Sequence, residues 1–89
     1  MNTIVIYDSS HQDLELGIEI HRIMLQRGWK SSDNFSFAYV KHSSNGKVPT
    51  EAEIKEDVDV STFQAEWDNV KYLYQIADSP IKFGVSPGK

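Results

Sequence analysis

Residues 13–29, DLELGIEIHRIMLQRGW, decide how this chain is expected to fold. The first half of the stretch alternates apolar and polar residues as a strand does, but the apolar run 23–25 fits no strand register. When residues 11–27 are placed on a helix at roughly 100° per residue, their polar side chains gather in one narrow sector. The apolar side chains fill an arc of roughly 220° on the same projection. The pattern predicts a helix over 11–27.

The residues at both ends support this helix. Ser9 or Ser10 can cap its start, because a serine side chain accepts a hydrogen bond from a first-turn amide. Gly28 is the expected left-handed stop, and Trp29 beyond it can fold back on Met24. We therefore expect the helix to begin just after the serines and to end at the glycine.

The other elements follow from alternation. Strands are predicted at 3–7, 34–41 and 81–85, the first as a β-branched run typical of a strand buried on both faces. A second long helix is predicted at 60–78, and residues 50–57 are interpreted as one or two weak helical turns. The order β-α-β-(short helix)-α-β predicts an α/β (α+β) fold. The expected architecture is a small two-layer sandwich of about three strands, with both main helices on one face.

Local signals mark the connections in the second half of the chain. Asn45-Gly46 is a strong turn signal. Thr50 and Glu53 have the spacing of a capping box, and Ser61 occupies the cap position of the predicted second helix. A loop is therefore expected before two successive capped segments.

The two long helices carry more apolar surface than one sheet face can cover. A glycine in a helix interior costs roughly 0.5–1 kcal/mol relative to alanine, so Gly17 is expected to mark the close approach of another backbone. A three-stranded sheet with open edges and one bare face is also a poor monomer, and we therefore expect a homo-oligomer. The residues predicted to make self-association or partner contacts are Gly17, His21, Trp29, Tyr72 and Ile76.

Length and composition limit the class of protein. With 89 residues, of which 39% are apolar and 25% charged, the chain is expected to form one domain over 1–85, followed by a flexible tail at 86–89. The sequence contains no cysteine, which excludes disulfides and fits a reducing compartment. Neither a signal peptide nor a membrane span of roughly 18–20 apolar residues is visible, so a cytoplasmic protein is expected.

The net charge of −4 belongs to the second half of the chain. Residues 1–50 carry five acids and five bases, whereas residues 51–89 carry eight acids and four bases. Without a basic patch, no direct binding of nucleic acid is expected, and another protein with a basic surface is the favoured partner. A solvated connector would explain the same acids. The predicted acidic docking strip consists of Glu51, Glu53, Glu56, Asp57 and Asp59.

The loop 7–13, YDSSHQD, is the place where a small ligand is expected if the chain binds one. Ser9, Ser10 and the first-turn amides could hold an anion such as a phosphate, with His11 as an acid or base. An ordinary capped helix start explains the same residues. Anion or nucleotide binding at this loop therefore stays an alternative.

The sequence predicts no cofactor for this loop. Asp8, His11 and Asp13 are acceptable ligand types, but their spacing matches no standard metal site. The strand, loop and helix resemble the part of thioredoxin-like and glutaredoxin-like domains that carries their cysteine pair, and Ser79-Pro80 resembles the proline facing it. Since the chain has no cysteine and no residues left for the closing hairpin and third helix, the resemblance implies a redox-inactive, shortened relative.

The sequence favours a small protein-interaction module without catalytic residues, regulatory or accessory in class, that uses the acidic segment and exposed apolar surface. Short acidic chains that lack cysteine and any catalytic motif include phage-encoded modulators of host proteins. An anion-binding domain that uses the loop from Asp8 to Asp13 and a redox-inactive thioredoxin-like domain are the alternatives.

Overall fold

The computed structural model describes residues 1–43 and 47–88, so the turn predicted at Asn45-Gly46 lies outside the described residues. Within this part of the chain, two helices accompany one five-stranded sheet. In chain order the elements are β1 (Asn2–Tyr7), α1 (Ile18–Gln26), β2 (Lys30–Ser31), β3 (Ala38–His42), α2 (Glu51–Gln64), β4 (Asp68–Ile76) and β5 (Lys82–Gly88). The predicted small two-layer α/β sandwich is confirmed, with five strands instead of about three.

The sheet has the strand order β2-β3-β1-β4-β5, and every pair of neighbours is antiparallel. The central strand β1 alternates between the two faces. Thr3, Val5 and Tyr7 are buried on the helix side, whereas Ile4 and Ile6 are partly exposed on the opposite side. The prediction that this strand is buried on both faces is therefore wrong.

The start of α1 lies later than the sequence predicts, because polar side chains bind the preceding backbone. The carboxylate of Asp8 accepts the amide of Ser10 at 3.0 Å. Such local side-chain bonds compete with helical backbone bonds, and residues 9–17 form turns instead. Gly17 stands at the N-cap without a side-chain hydrogen bond, so the predicted cap at Ser9 or Ser10 is wrong.

The end of α1 agrees with the prediction. Gly28 has a left-handed φ of 93°. Its amide donates to the carbonyl of Leu25 at 3.1 Å, and the amide of Trp29 donates to that of Met24 at 2.9 Å. These two bonds form a Schellman motif, which satisfies carbonyls that the helix leaves free.

The predicted capping box starts α2. Thr50 Oγ1 accepts the amide of Glu53 at 3.1 Å, and 14 residues of helix follow instead of one or two weak turns. Ser61 is not a cap, because it lies inside this helix and its hydroxyl donates to the carbonyl of Val58 at 2.8 Å. The acidic segment is therefore part of a long helix.

The second helix predicted at 60–78 is wrong beyond Gln64. Glu66 has a φ of 59°, which is incompatible with continuing a right-handed helix. The chain then forms β4, where every second residue from Val70 to Ile76 lies on the helix side of the sheet. β-branched and aromatic residues in alternation favour a strand once neighbouring strands are available.

The remaining strands differ from the prediction in their bounds. The strand predicted at 34–41 begins only at Ala38, after Phe37 in a left-handed conformation with φ 55°. β5 extends to Gly88, so residues 86–88, predicted to form a tail, lie in a strand. Lys89 lies outside the described residues.

The core lies between the helices and one face of the sheet. α1 and α2 contact each other, and their buried side chains pack on the same sheet residues. The residues that form this core are Val5, Tyr7, Ile20, Met24, Trp29, Phe37, Tyr39, Ile54, Val58, Ala65, Trp67, Val70 and Tyr72. The opposite face of the sheet is covered by neither helix.

Candidate interaction surface

The uncovered side of the sheet carries a row of apolar residues that crosses β1, β4 and β5. In the strand register Ile6 is paired with Leu73, and Leu73 is paired with Phe83. Phe83 is 78% exposed and Val85 is 57% exposed, while the others are partly exposed. We call this row the bare face; its members are Ile4, Ile6, Leu73, Phe83 and Val85. Contiguous exposed apolar surface of this kind marks interaction sites in soluble proteins.

A groove of about 380 Å³ lies on the bare face where β1, β4 and β5 adjoin. Apolar side chains of the bare face line it, together with the charged residues Asp8 and Lys71. The Asp8 carboxylate accepts the hydroxyl of Ser10 at 2.6 Å and its amide at 3.0 Å, and these two bonds lower the pKa of Asp8. The groove therefore offers mostly apolar contact area, which suits binding better than proton transfer.

Trp29 and Tyr72, both predicted to contact a partner, lie in the core of their own chain. Trp29 is 1% exposed, and its Nε1 donates to a carboxylate oxygen of Asp57 at 2.9 Å. Tyr72 is buried on the helix side of β4, and its ring fills the space that a side chain at Gly84 would occupy. The predicted exposure of Tyr72 is wrong, and neither ring is accessible to another molecule.

The other predicted contact residues also pack within the chain. A Cβ added to Gly17 would lie 2.6 Å from the ring of Phe37, so its close neighbour is a side chain and not another backbone. His21 is partly buried, with Nδ1 at 2.7 Å from the hydroxyl of Tyr39. Ile76 is partly buried and packs against the core. None of the three belongs to the bare face.

The sequence predicts a bare sheet face but not these residues on it, because the surplus apolar surface is assigned to the helices. Its signal is present in the sequence, since Ile81, Phe83 and Val85 alternate in IKFGV. Ile4 and Ile6 alternate with buried residues of β1 in the same way. A two-layer sandwich covers only one face of its sheet. When a central strand has apolar residues on both sides, those on one side therefore lie on the uncovered face.

The acidic segment does not form one exposed strip, because Asp57 is buried where α1 and α2 meet. Arg27 Nη1 donates to its carboxylate at 2.8 Å and Trp29 Nε1 donates at 2.9 Å. Lys41 Nζ lies 3.8 Å from the same carboxylate and 4.8 Å from the centroid of the Trp29 ring. This carboxylate connects α2 to the end of α1 and is not available for docking.

Two further acids of the segment contact β5. Asp59 accepts Lys55 Nζ at 2.8 Å and the hydroxyl of Ser86 at 2.7 Å. Glu51 forms an ion pair with Lys82. The remaining members of the predicted strip, both exposed, are Glu53 and Glu56. Most of the predicted docking charge is therefore used inside the chain.

The loop from Asp8 to Asp13 is not the start of a helix, so the first-turn helix amides predicted to contribute to an anion site do not lie there. The first turn of α1 lies beyond Gly17, and the polar groups of Ser10 are bound to Asp8. His11 has a left-handed φ of 68°. The topology gives the thioredoxin-like alternative no support, because β2, the strand directly after α1, pairs with β3 and not with β1, whereas a strand-helix-strand unit of that kind pairs its two parallel strands.

Comparison with known proteins gives no further guide to function. No protein-family model matches the chain, and neither curated proteins nor solved structures match it significantly. Within residues 1–43 and 47–88, no three His, Asp or Glu side chains are grouped as metal ligands would be. In the same ranges neither helix has the length and apolar character needed to cross a membrane.

Proposed function

We propose that the chain is a non-catalytic protein-interaction module, regulatory or accessory in class, that self-associates through the bare face. The observation that carries this proposal is the exposure of Phe83 and Val85 beside Leu73 and Ile6, on the side that the helices do not cover. Burying apolar surface is worth roughly 25 cal/mol per Å², so covering these side chains favours association. A cytoplasmic location is part of the proposal, because the chain has no cysteine.

The charges near the bare face are compatible with a second copy as the partner. The net charge of the chain is −4, which opposes self-association at long range. Asp8 and Lys71, the charged residues that line the groove, nevertheless have opposite signs. The contact surface itself therefore does not repel an identical surface.

The alternatives have less support. A basic partner would need the acidic segment to be accessible, but Asp57 is buried and Asp59 is bound to Lys55 and Ser86. An anion would need free donors in the loop from Asp8 to Asp13, where the nearest carboxylate repels it. The bare face is thus the better candidate for the docking surface.

The proposal is tested by sedimentation equilibrium of the wild-type chain and of the Phe83→Ser variant. The wild type is expected to show a mass that rises with concentration. Phe83→Ser removes the most exposed large apolar side chain of the bare face and is expected to weaken the dimer by about tenfold or more.

The matched control is Phe63→Ser on α2, since Phe63 is also exposed, at 58%, but lies outside the bare face. This variant is expected to associate like the wild type. A wild-type chain that stays monomeric at millimolar concentration, or equal weakening by both substitutions, would contradict the proposal.

A further inference from the structure

The hydrogen bonds of β1 determine which backbone groups of β5 point away from the sheet. The amide of Asp8 donates to the carbonyl of Lys71 at 2.8 Å, and that of Tyr7 donates to the carbonyl of Phe37 at 3.0 Å. In an antiparallel pair, successive residues of a strand bond alternately to one side and to the other. Residues 71, 73 and 75 of β4 therefore bond to β1, and its even-numbered residues bond to β5.

The same alternation continues into β5. Val70 is paired with Ser86 and Tyr72 with Gly84, so Gly84 and Ser86 bond to β4. The amide and carbonyl groups of Phe83 and Val85 then point outward along the free edge. The next outward position is occupied by Pro87, which has no amide hydrogen.

The two edges of the sheet differ in how they are protected. β2, at one edge, has only two residues, and one of them is the exposed Lys30. Short strands and lysines are common protection against edge-to-edge pairing. β5, at the other edge, has seven residues, with exposed Phe83 and Val85 beside its free backbone groups. β5 is therefore the edge that can accept another strand.

The charged side chains along β5 balance. Glu51 is paired with Lys82, and Asp59 with Lys55. Two acids and two bases thus stand next to this edge, although the whole chain is acidic. A second copy of the same edge meets no net repulsion here.

We propose that two copies of the chain pair β5 with β5 in antiparallel orientation, about a two-fold axis at Gly84. This inference rests on the proposed self-association and places the contact at the edge of the bare face, where Val85 of the second copy lies beside Phe83. In this register Phe83 is opposite Val85 of the second copy, and both residues exchange their outward amide and carbonyl groups. The two five-stranded sheets become one continuous sheet.

The position of the axis follows from the sequence of β5. Only odd-numbered residues carry outward groups, so an axis at Val85 would place Phe83 opposite Pro87, which cannot donate. An axis at Phe83 would pair Val85 with Ile81, which lies before the strand, whereas an axis at Gly84 pairs Phe83 and Val85 completely within β5. Gly84 also adds no side chain at the axis, where opposite Cα atoms approach to about 4.5 Å.

Hydrogen exchange of single amides, measured by NMR at low and at high protein concentration, tests the pairing. The amides of Phe83 and Val85 are expected to exchange freely in the monomer and at least about tenfold more slowly in the dimer. The amides of Gly84 and Ser86 are the internal controls, because β4 protects them at both concentrations. A dimer in which the Phe83 and Val85 amides exchange as in the monomer overturns edge pairing and leaves association through the bare face intact. A chain that is monomeric at every concentration overturns both.

The variant Val85→Pro gives a second test. It removes one outward amide without removing a bond to β4, and Pro87 already occupies an outward position of the same strand. It is expected to weaken the dimer by about tenfold or more, while Val85→Thr, which keeps the amide and the β-branch, weakens it less. Equal weakening by the two variants overturns the role of the backbone. If Val85→Pro fails to fold, as circular dichroism would reveal, the exchange measurement decides.

Discussion

Both faces of the sheet carry apolar side chains, but they differ in the polar groups that lie among them and in exposure. On the helix side, polar groups lie among the apolar ones and are mostly paired, as in the contact of Tyr7 with Ser61 and in that of Thr62 with Ser86. The bare face instead presents exposed aliphatic and aromatic side chains. The difference indicates that the helix side determines the stability of the monomer, whereas the bare face is the surface that we propose for binding.

The largest effect on stability is expected from Asp57→Ala on the helix side. The substitution leaves the Nε1 of Trp29 buried without its acceptor and removes the carboxylate between Arg27 and Lys41. Breaking a buried charged contact costs about 3–5 kcal/mol, and urea unfolding measures this loss. The control is Glu56→Ala, an exposed acid on the same helix, 3.9 Å from Arg27, with an expected cost below about 1 kcal/mol. Similar losses for both variants would contradict the assigned role of Asp57.

The next largest effect is a loss of folding stability at alkaline pH. Burial raises the pKa of Tyr7 above its usual value of 10.0, and burial also raises the pKa of Tyr39. Above pH 10 the unfolded chain releases these protons and the folded chain retains them, so stability present below pH 10 is lost as the pH rises further. Each such tyrosine contributes a slope of about 1.4 kcal/mol per pH unit.

Comparing the wild type with Tyr7→Phe isolates one of these slopes. The variant loses the contact with Ser61, so it is expected to be less stable at pH 8 by about 1 kcal/mol. Its stability should then fall less steeply than that of the wild type between pH 10 and 11.5. Parallel curves from urea unfolding at each pH would show that Tyr7 is accessible to hydroxide.

A smaller, stabilising effect is expected at Thr3 in β1. Its Oγ1 is buried, and the described part of the chain offers it no hydrogen-bond partner. Because an unpaired buried hydroxyl is unfavourable, the nearly isosteric Thr3→Val should raise the free energy of unfolding by about 1 kcal/mol. Thermal unfolding of dilute protein measures the gain. A lower melting temperature would mean that the hydroxyl is bound.

The smallest effect on monomer stability belongs to the bare face. In dilute protein, where no dimer forms, Phe83→Ser is expected to change the free energy of unfolding by less than about 0.5 kcal/mol, because the ring is already exposed. Chemical denaturation below the dimer dissociation constant measures this. A loss above about 2 kcal/mol would mean that the ring is packed within the monomer. It would contradict the distinction between a stabilising helix side and an exposed bare face.

Signals that act within a few residues were predictable from the sequence, and signals that depend on distant partners were not. The end of α1 at Gly28 and the start of α2 at Thr50 are local hydrogen-bonding motifs, and both were predicted. The residues of β4 fit a helical period as well as an alternating one. The choice between them depends on β1 and β5, which pair with this segment from distant parts of the chain.

The candidate surface was mispredicted for the same reason. Trp29 and Tyr72 were expected at a surface because the predicted helices had too much apolar area. In the structure both side chains lie in the core, Tyr72 because its segment is a strand with this side chain on the helix side, and Trp29 because it folds back behind α1 and donates to Asp57. The prediction that the chain exposes surplus apolar surface remains, but the structure moves this surface to the uncovered side of the sheet.

The hydroxyl of Ser86 has a consequence for the kinetics of the proposed dimerisation. Its bonds to Asp59 and Thr62 fix the last strand to α2 before any encounter takes place. A preorganised strand loses little conformational entropy when it is joined by another chain. Encounter should therefore be limited by orientation rather than by ordering of the strand, with an association rate constant in the usual range of about 10⁵–10⁷ M⁻¹s⁻¹.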